Sequence, residues 1–382
     1  MANGQNMSSR KSTRFLTFTA ILVILAVLIA WVYYWTTGKE KTTDAELGLC
    51  GRDGWWEVHF TDPLNINDPD KLEGSIAEKL INKINNAQKA IHIASFEFNL
   101  TPVAEALIAA HKRGVEVLWI TDNEHGIEAD ADEGHGQFEM LKESGIEVKA
   151  DERTALMHNK FWIFDSQLVW TGSTNITKNG IFRNNNNVIV IKSPELAAIY
   201  EREFNEMWTG KFGPRSPSEV DDQTVNIKGT PVQVLFAAED DVGKHLIPII
   251  ESAQKSIRFM AFSFTHDEMG EAVRKRAEDG VDVMGIFETR GSETKYSEMS
   301  AFYRAGIPVR QDGNSHTFHH KVFVIDEKIV ITGSFNFSSN ADKSNDENVI
   351  IITNGKIANQ YLQEFERRWN EANEPAASDI VS

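Results

Sequence analysis

The chain repeats itself, and a repeat of this length limits the possible folds more tightly than any other feature. Residues 84–98, INNAQKAIHIASFEF, align without a gap on residues 250–264, IESAQKSIRFMAFSF. Each stretch is followed by a helical pattern, VAEALIAAHKRGVEVLWI and MGEAVRKRAEDGVDVMGIF, in which Gly closes the helix and a strand resumes at Val. QFEMLKESGIEV and SEMSAFYRAGIPV come next, then MHNKFWIFDSQLVWTGSTN and FHHKVFVIDEKIVITGSFN. EREFNEMW and LQEFERRW close the two halves. Strand-helix-strand-helix-strand-strand, read twice, predicts an α/β protein of two lobes, each a largely parallel mixed sheet covered by helices. The first lobe is expected over residues 55–208 and the second over 231–372. The Gly-, Pro- and Ser-containing stretch 209–230 serves as connector, and 373–382 as a C-terminal tail.

Upstream of the repeat, residues 15–35 carry no charge over 21 positions. At 1.5 Å per residue that length spans a hydrocarbon core of ~30 Å. Trp31, Tyr33, Tyr34 and Trp35 cluster at its end, where amphipathic rings favour a membrane interface. No small-x-small cleavage site follows, so the stretch reads as an uncleaved transmembrane anchor rather than a signal peptide. Residues 1–14 are then an N-terminal tail and 36–54 a short tether. Arg10, Lys11 and Arg14 precede the anchor and Lys39 and Lys41 follow it, a bias toward a cytoplasmic N-terminus. The expectation is a single-pass protein whose catalytic region lies outside the cytoplasm. The single cysteine, Cys50, excludes an intramolecular disulfide and a cysteine-based zinc cluster, and it reads as a tether thiol.

Within the repeat, one motif recurs in register. His158-Asn-Lys160 is followed by four residues and Asp165, and later by Gly172-Ser173-Thr174-Asn175. His319-His320-Lys321 is followed by four residues and Asp326, and later by Gly333-Ser334-Phe335-Asn336. On a strand, positions i and i+2 share a face, so each His points with its Lys while Phe161, Ile163, Val322 and Val324 enter the core opposite. A neutral imidazole can attack phosphorus, and a protonated one can return a proton to the leaving oxygen. The lysines supply fixed positive charge for phosphate oxygens. Ser173, Asn175, Ser334 and Asn336 are candidate phosphate donors. Asp165 and Asp326 sit in ordinary hairpin-turn sequences and read as structural rather than proton-transferring.

These paired motifs resemble those of the phospholipase D superfamily, and the resemblance runs through both halves, over residues 55–372. It implies lobes related by an approximate twofold axis. It also implies one active site built from both motifs, and a two-step transfer through a phosphohistidine without metal or other cofactor. By that resemblance His158 is the nucleophile and His319 the general acid. The superfamily commonly has an acidic residue fourteen positions after the motif glycine, which orients a histidine. Here the second half has Glu347 and the first half has Asn186. Glu347 is expected beside His319, where it would keep that imidazole protonated, and Asn cannot do the same.

Substrate is the open question. An anchor beside bilayer phosphates favours a phospholipid, and a net charge of −17 disfavours a broad nucleic-acid face. The phospholipid reading is placed slightly ahead of a membrane-tethered endonuclease acting on single strands. Phe161, Trp162 and Phe318 near the motifs are candidate base-stacking groups for the nuclease, although they read more simply as core. An inactive scaffold and a phosphatidyl transferase rank lower. The expected partners are the bilayer and the substrate, with no obligatory protein partner, since both motifs lie in one chain. His125 and His135, in the acidic stretch EHGIEADADEGHG, match no metal-ligand spacing and read as a solvated loop.

Overall fold

The computed structural model describes residues 54–381. The expected anchor, most of the tether and Cys50 lie outside that range. Among the described residues, no helix is long and apolar enough to cross a membrane.

The first half runs β1 (Trp56–Phe60), α1 (Ile76–Asn86), β2 (Ala90–Ser95), α2 (Thr101–Lys112), β3 (Glu116–Thr121) and α3 (Gln137–Glu143). It continues β4 (Glu147–Ala150), β5 (Lys160–Phe164), β6 (Leu168–Gly172), α4 (Lys178–Phe182), β7 (Asn187–Lys192) and α5 (Pro194–Trp208). The second half runs β8 (Thr224–Ile227), β9 (Thr230–Ala237), α6 (Val242–Glu251), β10 (Ser256–Ala261), α7 (Asp267–Glu278) and β11 (Asp282–Phe287). It ends α8 (Met299–Arg304), β12 (Val309–Gln311), β13 (Lys321–Ile325), β14 (Ile329–Gly333), α9 (Ser339–Lys343), β15 (Glu347–Thr353) and α10 (Gly355–Glu371).

The strands form two sheets, ordered β1-β7-β6-β5-β2-β3-β4 and β12-β11-β10-β13-β14-β15-β9-β8. The sheets are mixed, but not largely parallel as expected. Among the described residues, only β2–β3–β4 and β10–β11–β12 pair in parallel, and every other ladder is antiparallel. The reason lies in the connections. Parallel pairing needs a long crossover, which α2 and α7 provide, whereas β5–β6–β7 and β13–β14–β15 are joined by tight turns and five-residue helices. The strands β7 and β15, and the leading strands β1 and β9, were not separable in the repeat pattern. The connector also gives up residues 224–227 to the second sheet as β8.

Each sheet is covered on one face by its own helices. Leu80, Ile84, Leu107, Trp119, Phe138 and Trp162 share the first core, and Leu246, Phe259, Phe264, Met269, Phe302 and Phe323 the second. The opposite faces meet each other. Tyr200 packs edge-on against Phe236 at 5.4 Å, and Tyr361 against Phe60 at 5.3 Å, so each half contributes aromatics to the seam. With both faces covered, β5 and β13 are buried at every position. That is why they read as unbroken apolar runs.

Asp165 and Asp326 sit at the tips of the β5–β6 and β13–β14 hairpins. Asp165–Ser166 and Asp326–Glu327 all adopt left-handed φ values of 51–56°. This is the two-residue turn whose twist suits a hairpin. The Asp165 carboxylate accepts from the backbone N–H groups of Gln88, Lys89 and Ala90. Asp326 accepts likewise from Gln254, Lys255 and Ser256. Each aspartate therefore pins its hairpin to the start of the neighbouring strand. Burial works against the Asp326 charge, but the three donors outweigh it and hold the carboxyl below its ordinary value.

The closing helices differ in charge. On α10, Glu364 is surrounded by cations. Arg368 donates to it at 2.7 Å, Arg367 at 2.5 Å, and His320 approaches at 3.3 Å. On α5 the equivalent Glu203 meets Glu239, with Asp240 and Glu206 nearby, and Met207 stands where Arg368 does. Burial, reinforced by these neighbouring carboxylates, raises Glu203 well above the ordinary range and Glu239 to about 8.

Two outcomes are expected. Asp326→Ala removes an acceptor from three backbone donors and should lower stability in urea unfolding by about 1–2 kcal/mol. For Glu239, the folded pKa exceeds the unfolded one, so the folded state holds the extra proton. Stability then falls as pH rises from the ordinary carboxyl range toward 8. Glu239→Gln should raise the melting temperature at pH 8.5 and leave it nearly unchanged at pH 5; equal gains at both pH values would refute the carboxyl-cluster account.

Candidate active site

The two halves exchange short backbone bridges just ahead of each motif. Met157 pairs with Asp346 and Phe318 with Asn185. His158 N–H donates to the Asp346 carbonyl, and His319 N–H to the Asn185 carbonyl, both at 2.9 Å. Each motif histidine is thus hung on the other half of the chain, and this brings His158, Lys160, His319 and Lys321 to one buried site.

The motif glycines explain how β6 and β14 pass so close to β7 and β15. A Cβ on Gly172 would lie 2.3 Å from the Asn187 carbonyl oxygen, and one on Gly333 would lie 2.1 Å from that of Asn348. Their φ values of 151° and 140° add backbone strain for any other residue.

The orienting groups also cross between halves. Glu347 lies not on His319 but on His158, with Oε2 2.7 Å from Nδ1. This corrects the expected pairing. β15 starts at the seam, so the side chain at its first position reaches into the other lobe. His319 Nδ1 instead meets the Asn186 Oδ1 and the Ser173 carbonyl, each at 3.0 Å. A carbonyl oxygen only accepts, and so does a carboxylate. Both rings therefore carry their proton on Nδ1 and leave Nε2 for the site.

The motif offers Ser173 and Ser334 as phosphate donors, and in the structure both hydroxyls are engaged within the protein. Ser173 Oγ donates to Asn186 Oδ1 at 2.8 Å, and Ser334 Oγ donates to Glu347 Oε2 at 2.6 Å. Each hydroxyl also accepts from the N–H of Asn187 or Asn348. With its single proton committed, each serine fixes the group that orients a histidine. Asn175 Nδ2 donates to Glu97 at 2.8 Å, while its Oδ1, like that of Asn336, is buried without a partner among the described residues.

Lys160 and Lys321 donate to the carbonyls of His158 and His319 at 2.8 and 3.0 Å. Their ammonium groups stand 4.9 and 4.6 Å from the ring centres of Phe96 and Phe262. The same two rings pack edge-on against His158 and His319 at 4.8 and 4.9 Å. Burial pushes His158 down to about 4, against the pull of Glu347. Burial, with both lysines and His158 adding repulsion, holds His319 well below the ordinary imidazole value. Burial brings Lys160 down to about 8, and Lys321 falls well below its usual range, helped by Lys160. Without a ligand the site resists its own positive charge. An arriving anion opposes every one of these shifts.

Several residues at the site escaped the sequence reading. Asp122 accepts the N–H of Met157, and Glu288 that of Phe318, so one buried carboxylate steadies the backbone before each histidine. Both follow the strand after the long helix at equivalent places in the repeat, a signal that was available. Phe96 and Phe262 are equally in register. Asn348 and Asn187 accept from Thr171 and Thr332 across the seam. Phe161, Trp162 and Phe318 are fully buried and cannot stack on a base. His135 is tied to Asn99 and to the Ala129 carbonyl, which folds the acidic stretch on itself. His125 is exposed but packs 4.8 Å from Phe96. Among the described residues, no group of three or more His, Cys, Asp or Glu side chains is arranged to hold a metal ion.

The family described as cardiolipin synthase, PLD-like domain, matches twice, over residues 80–208 and 246–369. A mitochondrial cardiolipin hydrolase of Canis lupus familiaris is 34% identical over 128 residues, covering 34% of this chain and 50% of the relative. A phospholipase D of Rickettsia prowazekii is 34% identical over 142 residues, covering 37% of this chain and 69% of the relative. The chain spans about half the length of the first of these. The crystal structure of phosphatidylserine synthase from Haemophilus influenzae superposes with a TM-score of 0.60 over 83% of this chain and 90% of its own, at 13% identity, a likeness of fold. With the family matched in both halves and both histidine–lysine pairs at one site, the chain belongs to the phospholipase D superfamily.

Proposed function

We propose that this protein is a phospholipid hydrolase that works through a phosphohistidine on His158. The observation that carries the reading is the Glu347 carboxylate on His158 Nδ1. It holds the ring with Nε2 unprotonated for attack, and it stabilises the positive charge the ring acquires once phosphorylated. His158 Nε2 forms a bond to phosphorus, and the bond from phosphorus to the head-group oxygen breaks. His319, charged once the phosphodiester anion has entered, gives its proton to that oxygen. In the second step His319 takes a proton from water, the water oxygen attacks phosphorus, and the bond to His158 breaks. The products are phosphatidic acid and the free head-group alcohol. Lys160 and Lys321 balance the charge on the non-bridging oxygens.

The choice of a phospholipid is supported by the charge-free stretch 15–35, read as an anchor that keeps the site at a bilayer. It is supported too by the burial of the aromatics that a single-strand nuclease would use for stacking. The protein is proposed to need no metal and no protein partner, and to face away from the cytoplasm.

The full chain in detergent, supplied with EDTA, should release phosphatidic acid from mixed micelles, followed by phosphorus NMR. His158→Ala should cut kcat by about 10³-fold or more, and a phosphoenzyme trapped in wild type should map to His158. Oligonucleotide cleavage without lipid cleavage would instead make the protein an endonuclease. No turnover of either would leave a scaffold. Asn186→Glu places a carboxylate on His319 and should raise its pKa, read by nitrogen NMR of the imidazole, and move the alkaline limb of the kcat profile upward. Glu347→Gln should lower the pKa of His158 and reduce kcat/KM by about 10–100-fold.

A further inference from the structure

Beside Glu347 and Asn186, the two halves of the site differ at a further position outside the motif. Glu97 follows Phe96, and the equivalent residue after Phe262 is Ser263. Glu97 is half-buried, and its Oε2 accepts from Asn175 Nδ2 at 2.8 Å. This occupies the amide of the motif asparagine, which the sequence offers as a phosphate donor. Asn175 is only 8% exposed, and its Oδ1 is buried without a partner among the described residues. The charge of Glu97 also reaches the Lys160 ammonium. A carboxylate here opposes an anionic substrate, so it needs a reason.

The segment beside Phe96 is acidic too. The segment after β3 carries five carboxylates between residues 124 and 133, and His125 sets it against Phe96. The corresponding segment after β11, residues 290–299, carries Arg290, Glu293, Lys295 and Glu298. The segment that His125 sets against Phe96 is thus more acidic than its second-half counterpart.

We infer that Glu97 selects substrates bearing a cationic group next to the phosphodiester, and that pairing with this cation frees the Asn175 amide for a phosphate oxygen. The inference rests on the phospholipid reading above. In a phospholipid the cation is on the head group, as an amine or quaternary ammonium, because the diacylglycerol side has none. Recognition of the head group and completion of the phosphate site then become one event. A head group without a cation, such as the glycerol of phosphatidylglycerol, offers Glu97 no partner and leaves Asn175 engaged, and the neighbouring phosphates of a nucleic acid meet Glu97 as a like charge.

The test measures kcat/KM of the full chain in mixed micelles of phosphatidylcholine, phosphatidylethanolamine or phosphatidylglycerol, with bis(p-nitrophenyl) phosphate as a head-group-free phosphodiester. Wild type should favour the two cationic head groups over phosphatidylglycerol by about tenfold or more, the scale of one charge contact. Glu97→Ser and the near-isosteric Glu97→Gln should erase that ratio, chiefly by raising the rate on phosphatidylglycerol. In wild type, phosphocholine should inhibit bis(p-nitrophenyl) phosphate hydrolysis more strongly than glycerol phosphate does, a readout that needs no variant. Lipid hydrolysis with the same ratio in wild type and variants would overturn this inference and leave the hydrolase reading standing. Hydrolysis of bis(p-nitrophenyl) phosphate without any lipid turnover would overturn both.

Discussion

Two backbone crossings at the seam hold the site together. Because the Asp346 carbonyl receives the His158 N–H and the Asn185 carbonyl receives that of His319, each histidine is placed by the half that does not encode it. The side-chain network follows from this. β15 begins where the first crossing ends, so Glu347 falls on His158, and Asn186 falls on His319 by the same rule. The sheets supply stiffness behind these contacts, with β5 and β13 covered on both faces. A rotation of one lobe against the other would break backbone bridges, orienting bonds and the aromatic seam at once.

That rigidity is used to hold an unfavourable arrangement of charge. Two lysines and two imidazoles are buried together, and the nearby carboxylates Glu347, Glu288 and Asp122 are each committed to a histidine or to backbone N–H groups. The lysines rest over phenylalanine rings and on main-chain carbonyls, contacts that tolerate a cation without neutralising it. An anion entering this pocket meets donors that need little reorganisation, the condition under which electrostatic stabilisation is most effective.

Much of this was legible in the sequence, for a physical reason. Both halves must bury the same strand and helix pattern, so the repeat exposed the lobes, and the fixed spacing of His, Lys and Asp exposed the site. The errors came where the answer depends on contacts between halves. An offset of fourteen residues from Gly333 locates Glu347 along the chain but not across the seam, so its partner was misassigned. The serines were read as phosphate donors because nothing local reveals that their one proton is already committed to Asn186 and Glu347. The parallel character of the sheets was overstated because the apolar stretches of β7 and β15, behind very short helices, did not stand out from the strands before them.

The crossed orientation has a consequence for what such a protein is free to change. If two identical halves assembled this site as separate molecules, any residue on one side would appear on the other as well. A carboxylate at one histidine would entail a carboxylate at both, and a charge beside one lysine would entail its twin. Joining the halves in one polypeptide removes that obligation. Here the freedom is visible at Glu347 against Asn186, at Glu97 against Ser263, and at the cation-rich Glu364 against the carboxyl-rich Glu203. Covalent linkage turns a symmetric pocket into one with a distinguishable left and right, and a substrate with two unlike ends can then be held in a single direction.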